Sequence, residues 1–118
     1  MSEPTQLPPD STPLPPPGER RKFPRFAANR AISGSLITRD RIIWARDIVD
    51  VSAGGIGLVL DHQADPGTVL LLDLYLPRRL PRLLRIRVAH RREEPEGHFF
   101  VGGAFGRELS EEEVEELR

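Results

Sequence analysis

Two groups of residues have the types and spacing to do chemistry. The first is Glu19-Arg20-Arg21-Lys22-Phe23-Pro24-Arg25, a basic cluster in which Arg21 and Arg25 stand four apart and Arg20 precedes them. A guanidinium forks onto phosphate, bonds the acceptor edge of guanine or stacks on a base. The second is Asp50-Val51-Ser52-Ala53-Gly54-Gly55, which sets a carboxylate and a hydroxyl, both acceptors, beside glycines that allow a sharp turn or close backbone approach. Their weights differ. Arg-x-x-x-Arg occurs three times in this Arg-rich chain, also as Arg78/Arg82 and Arg87/Arg91, so alone it says little. Without the Asp/Ser/Gly string, the arm reads as a solvated basic segment.

Catalysis finds less support. His62, His90 and His98 lack metal-ligand spacing, and the chain has no cysteine to serve as nucleophile, zinc ligand or disulfide partner. Ser52 lacks the preceding glycine of a nucleophile elbow, and Asp47 and Asp50 point to opposite faces of a strand. The expectation is a protein that is not an enzyme, with no cofactor and no metal site.

The elements that must position these groups follow from composition. Seven of the twelve prolines lie between Pro4 and Pro17, and residues 1–18 offer only Met1, Leu7 and Leu14 as apolar side chains. Such a segment buries too little surface to offset its ordering entropy, so residues 1–18 are expected to be a disordered, Pro-rich leader that acts as a tether. The remaining 100 residues, 19–118, have the size of one domain. Residues 19–107 carry sixteen Lys or Arg against ten Asp or Glu, and the tail from Glu108 carries six Glu against Arg118. A basic body between acidic ends points to an anionic partner. The start has no basic and apolar signal-peptide regions, and the longest apolar run, Val69 to Leu72, is far below membrane-spanning length, so a soluble, cytoplasmic protein is expected.

Period-two patterning dominates from Arg30 onward. Strands are expected at Ile32–Thr38, Arg41–Val51, Gly55–Leu60, Thr68–Leu76, around Leu84, Ile86 and Val88, and at His98–Phe105, with turns at Asp65-Pro66-Gly67 and Glu93–Gly97. Trp44, inside an apolar strand, is expected in the core or barrel wall. Ser110 with Glu113 is a capping box opening a helix over 110–118, whose Leu109, Val114 and Leu117 make a narrow apolar face. The acidic residues of that first turn suit the helix dipole. The expected fold is all-β: six antiparallel strands forming a barrel or a sandwich at 30–107, of which the barrel leaves no exposed edges, preceded by an arm at 19–29 and followed by a short C-terminal helix.

In this order, about 25 residues apart, Arg21-x-x-x-Arg25 and Asp50-x-Ser52-x-x-Gly55 resemble the motifs of the bacterial PilZ domain family, whose members bind the second messenger cyclic di-GMP. Gly54-Gly55-Ile56-Gly57-Leu58 and Val101-Gly102-Gly103-Ala104-Phe105 are also similar to family members. The resemblance implies a six-stranded barrel and a cyclic di-GMP receptor whose ligand meets Arg20, Arg21, Arg25, Asp50, Ser52 and Gly55. It also implies relay to a protein partner in motility, pilus or exopolysaccharide control. Arg20, immediately before the motif, implies an intercalated ligand dimer, two per chain. Two alternatives stand beside this: a PilZ-like adaptor without ligand, and a small basic barrel for nucleic acid, disfavoured because few aromatics lie among the arginines.

Overall fold

The computed structural model describes residues 23–118, so the leader expected at 1–18, together with Arg20 and Arg21, lies outside the described residues. Eight strands occur among them: β1 (Phe26–Ala27), β2 (Ser33–Ile37), β3 (Ile42–Trp44), β4 (Asp47–Val51), β5 (Gly55–Leu60), β6 (Val69–Tyr75), β7 (Arg82–Glu94) and β8 (His98–Phe105). One α-helix, α1 (Glu111–Leu117), follows. All neighbouring strands pair antiparallel, in the order β1-β4-β5-β8-β7-β6-β2-β3. The all-β class with a terminal helix is as expected, whereas the closed six-stranded barrel is not: the sheet has eight strands and is open.

Two local causes explain the difference. Phe26–Ala27 of the arm pairs with Val51 and Asp50 and adds an edge strand. The apolar run Arg41–Val51 does not form one strand, because it changes partner at Ala45-Arg46. The Ala45 amide donates back to Gly34 O (2.9 Å), while the next amide, Arg46, donates to Val59 O (2.8 Å) on β5. β3 therefore ends one margin of the sheet while β4, two residues later, lies near the other. The margins are joined by covalent chain rather than by a hydrogen-bonded ladder.

The curled sheet encloses a core of alternate residues from its strands. Leu36, Ile56, Leu58, Leu60, Leu72, Leu74, Ile86, Val88 and Val101 are each essentially inaccessible. Burial of this kind contributes about 1.5–3 kcal/mol per large aliphatic side chain. The other face carries Ile42, Trp44, Val69, Leu71 and Leu83 toward solvent. Of the two places expected for Trp44, core or wall, the core is excluded: it is 58% exposed on β3 in the wall of the sheet, beside Tyr75 with ring centroids 5.8 Å apart. Its place on an edge strand leaves no further strand, among the described residues, to cover it.

Helix α1 seals the body as its sequence implies. Ser110 Oγ accepts from the Glu113 amide (3.1 Å) and Glu113 Oε1 from the Ser110 amide (2.8 Å), completing the capping box, while Leu109, Val114 and Leu117 are buried. The helix carboxylates are met by arginines of the body. Arg107 forks onto Glu113 (2.9 and 2.7 Å), Arg82 reaches Glu113 (2.9 Å) and Glu116, and Arg79 reaches Glu116 (3.3 Å). Arg79 and Arg82 thus clamp the helix instead of extending a free anion-binding surface. Arg107, the Ser110 amide and, less strongly, Arg82 lower the Glu113 pKa to about 2 against an opposing burial effect.

Candidate functional site

The Asp50–Gly55 segment is the β4–β5 connection, and its side chains explain its shape. Ser52 N–H donates to Gly55 O (2.9 Å), and Ser52 Oγ accepts from the Gly54 and Gly55 amides at 3.2 and 3.1 Å. Ser52 is only 4% exposed, so its hydroxyl holds the turn from within rather than facing solvent. Gly55 is required by packing: a Cβ there would lie 2.5 Å from Gly103 O on β8. Gly54 leaves room for the Phe23 ring, which a Cβ would meet at 2.9 Å.

Asp50 is aimed by a β-bulge. The β4–β5 register shifts between Ile48 and Asp50, so Val49 is the extra residue and Asp50 faces Gly57. A Cβ on Gly57 would sit 2.8 Å from Asp50 Oδ1 and 2.9 Å from Phe100 Cζ, so this glycine keeps the carboxylate's space clear. Arg25 Nη1 donates to Asp50 Oδ1 at 2.8 Å, joining two candidates 25 residues apart in the chain. The described arm is thus docked: Phe23 lies against Gly54, β1 against β4, and the Ala28 amide donates to Val49 O (3.1 Å). Residues 23–29 are therefore held against the sheet rather than standing off it as a solvated basic segment.

The structure adds residues that the sequence reading missed. The registers place Asp50, Gly57, Gly102 and His90 in one row across β4, β5, β8 and β7. A Cβ on Gly102 would collide with the His90 ring, so the imidazole lies flat across β8. His90 and Phe100 have ring centroids 6.0 Å apart, and the Arg92 guanidinium lies 4.8 Å above Phe100. Both glycines are buried, the room beside Gly57 being taken by Asp50 and Phe100 and that beside Gly102 by His90, and the strip of surface they underlie carries a carboxylate and guanidinium at one end and two rings at the other. The visible signal was Gly57 and Gly102 in the two Gly-rich strings; their partners His90 and Phe100 had no motif.

Chemically, this surface offers an acceptor for N–H donors, a cation for an anion and flat faces for a base. Among the described residues, no three His, Cys, Asp or Glu side chains gather as a metal-binding group.

The comparisons with known proteins agree with this architecture. The PilZ domain model matches residues 19–118, and the chain belongs to the PilZ domain family. Among solved structures it is similar to YcgR of Escherichia coli in complex with c-di-GMP, with 17% identity and a TM-score of 0.61 over 73% of this chain and 38% of that one. It is also similar to the Bacillus subtilis inhibitor of motility MotI/DgrA, with 19% identity and a TM-score of 0.56 over 86% of this chain and 52% of that one. The chain therefore spans about two fifths and one half of these two proteins, and the likeness is one of fold. A search of curated proteins found no match.

Proposed function

We propose that this domain is a non-enzymatic receptor for cyclic di-GMP, with Arg25, Asp50, His90 and Phe100 as its described binding surface. The carrying observation is the 2.8 Å Arg25–Asp50 pair, which brings together one residue from each of the two family motifs. In this reading Asp50 accepts from the N1 and N2 donors of one guanine, while Arg25 turns from the carboxylate to a phosphate or to O6 and N7. The rings of His90 and Phe100 provide a stacking face. Ser52 and Gly55 act by holding the turn, and Arg20 and Arg21 complete the cationic arm. Arg20 further supports uptake of two ligands as an intercalated dimer. The downstream role is relay to a protein partner, with motility as the leading output, in line with the MotI/DgrA likeness.

Titration calorimetry with cyclic di-GMP tests this reading. The wild-type chain is expected to bind at micromolar concentrations or below with two ligands per protein, and Arg25→Ala and Asp50→Ala each to weaken binding at least tenfold with the fold intact. No heat of binding would leave an adaptor that works through protein contacts alone. A steep salt slope with losses spread over many arginines would instead indicate nucleic acid.

A further inference from the structure

The outward face of β3, β2, β6 and the first half of β7 takes no part in the binding surface proposed above. The strand registers fix its rows. Ile42, Ile37, Leu71 and Arg85 stand side by side across the four strands, with Trp44, Ser35, Asp73 and Leu83 forming the row on one side. On the other side Val69 stands opposite Arg87. Ile42, Trp44, Val69, Leu71 and Leu83 are 36–60% exposed, so these rows make a patch rather than the scattered single side chains that are normal on a soluble domain. The polar groups within it are already engaged. Tyr75 donates its hydroxyl to Asp73 Oδ2 (2.7 Å), Ser35 is buried, and β2, β6 and β7 each have a strand on both sides. The face therefore offers apolar area with few directional hydrogen-bonding groups.

Charge selects the occupant. Most arginines of the body meet a carboxylate, but Arg39, Arg41 and Arg85 meet none among the described residues. These three line one open concavity of about 750 Å³ together with Ile37, Val69 and Leu71. Of its two carboxylates, Asp65 is taken by Arg91 (2.9 Å), and Asp40 sits between Arg39 and Arg41 in the hairpin bend, so positive charge prevails. A second copy laid face to face would bring two such sets of arginines into one interface, like against like. A lipid surface with anionic headgroups answers both features, since it is apolar beneath, negative at its boundary and free of fixed hydrogen-bond partners. We infer that this face docks on an anionic bilayer, with Ile42, Trp44, Val69 and Leu71 entering the headgroup boundary and Arg39, Arg41 and Arg85 meeting lipid phosphates. An indole suits that boundary, having an apolar body and one N–H donor. Asp50 and Phe100 belong to β4 and β8, strands outside this face, so the docking stands independently of the ligand reading.

Trp44 is the chain's only tryptophan, so its fluorescence reports on this face directly. The full chain is titrated with vesicles of equal parts phosphatidylglycerol and phosphatidylcholine, and with vesicles of phosphatidylcholine alone, while co-sedimentation measures the bound fraction. On the anionic vesicles a blue shift of Trp44 emission and salt-sensitive binding are expected, with binding at least tenfold weaker on the neutral ones. Val69→Glu and Arg85→Glu alter exposed side chains, and each is expected to weaken binding at least tenfold, with unfolding curves confirming that the fold is kept. Arg85→Lys keeps the charge and is expected to bind within about threefold of the wild type. Absence of binding overturns the proposal, whether the face stays bare or is covered by this chain's own residues 1–22 or by an acidic protein. Binding without a shift of Trp44 emission, or indifferent to both glutamate variants, overturns it equally, because another surface is then in use. A lipid-free dimer that Val69→Glu breaks in sedimentation velocity assigns the face to a second copy and overturns it as well.

Discussion

The hydroxyl of Ser52 and the bare Cα of Gly57 divide the site between support and access. Because Ser52 Oγ accepts two turn amides in a buried position, Ser52→Ala leaves those donors without a partner. It is expected to lower stability by about 1–3 kcal/mol, read as a reduced denaturant midpoint at unchanged slope. Gly57→Ala acts differently: its Cβ pushes directly on Asp50 Oδ1 and Phe100 Cζ. That variant is expected to retain most of its stability yet bind cyclic di-GMP at least tenfold more weakly by calorimetry, and unchanged affinity would show that the placement of Asp50 and Phe100 does not matter for binding. Asp50, Ser52 and Gly55 were legible in the sequence as a string of acceptors and glycines at unusual spacing. Their division of labour was not, because only the fold shows that Ser52 turns inward and that a bulge at Val49 aims Asp50 outward. His90 and Phe100 were illegible for a related reason: cross-strand register across β5, β7 and β8, rather than local sequence, sets them beside Asp50.

Helix α1 was the most legible element, since both bonds of its capping box and its apolar face follow from local sequence. Two of its acidic residues, Glu113 and Glu116, also have partners within the chain, Arg79, Arg82 and Arg107. Glu113 has a pKa lowered to about 2 in the fold, below the roughly 4.3 of an unfolded glutamate. The unfolded chain therefore takes up this proton first as pH falls. The stabilisation is complete above about pH 4.3 and is lost progressively toward about pH 2. Glu113→Gln keeps an acceptor at the capping position but cannot titrate, so its stability is expected to fall less steeply than the wild type's across that window in urea melts, apart from losses common to both. The strands were legible where apolar alternation and pairing coincide, and β5 and β8 begin and end where the pattern does. β7 instead runs on through the polar stretch to Glu94, because pairing with His98–Gly102 of β8 imposes extension that composition alone does not signal. Arg41–Val51 shows the reverse: its β-branched pattern is continuous, yet Ala45-Arg46 divides it between two partners.

At the scale of the molecule, arm, site turn and helix form one connected body. The Asn29 amide donates to Leu117 O (2.8 Å), Arg118 lies 3.9 Å over the Phe26 ring, and Leu109 donates to Ala53 O (2.9 Å) inside the candidate site's turn. A ligand that draws Arg25 away from Asp50 therefore acts on a segment tied to the last residues of α1. Hydrogen exchange is expected to show changed protection at Asn29 and at the Arg118 amide, which bonds Val114 O, upon addition of cyclic di-GMP. Unaltered exchange at both would mean that the helix does not sense the ligand. The near-neutral total charge, which suggests a basic body seeking an anion once divided by segment, resolves into a body whose arginines are partly engaged by its own acidic helix. The open sheet has a further consequence, in time rather than in space. The β2–β3 and β4–β5 hairpins and the β6–β7–β8 meander join neighbours in the chain, whereas the seams β2–β6 and β5–β8 join strands more than thirty residues apart. The local pieces can form quickly, but both long loops must close before the body exists, so the two seams set the pace of folding. Substitutions at a seam, such as Gly55→Ala against Gly103 O, are then expected to slow refolding, while those at the β2–β3 hairpin chiefly hasten unfolding.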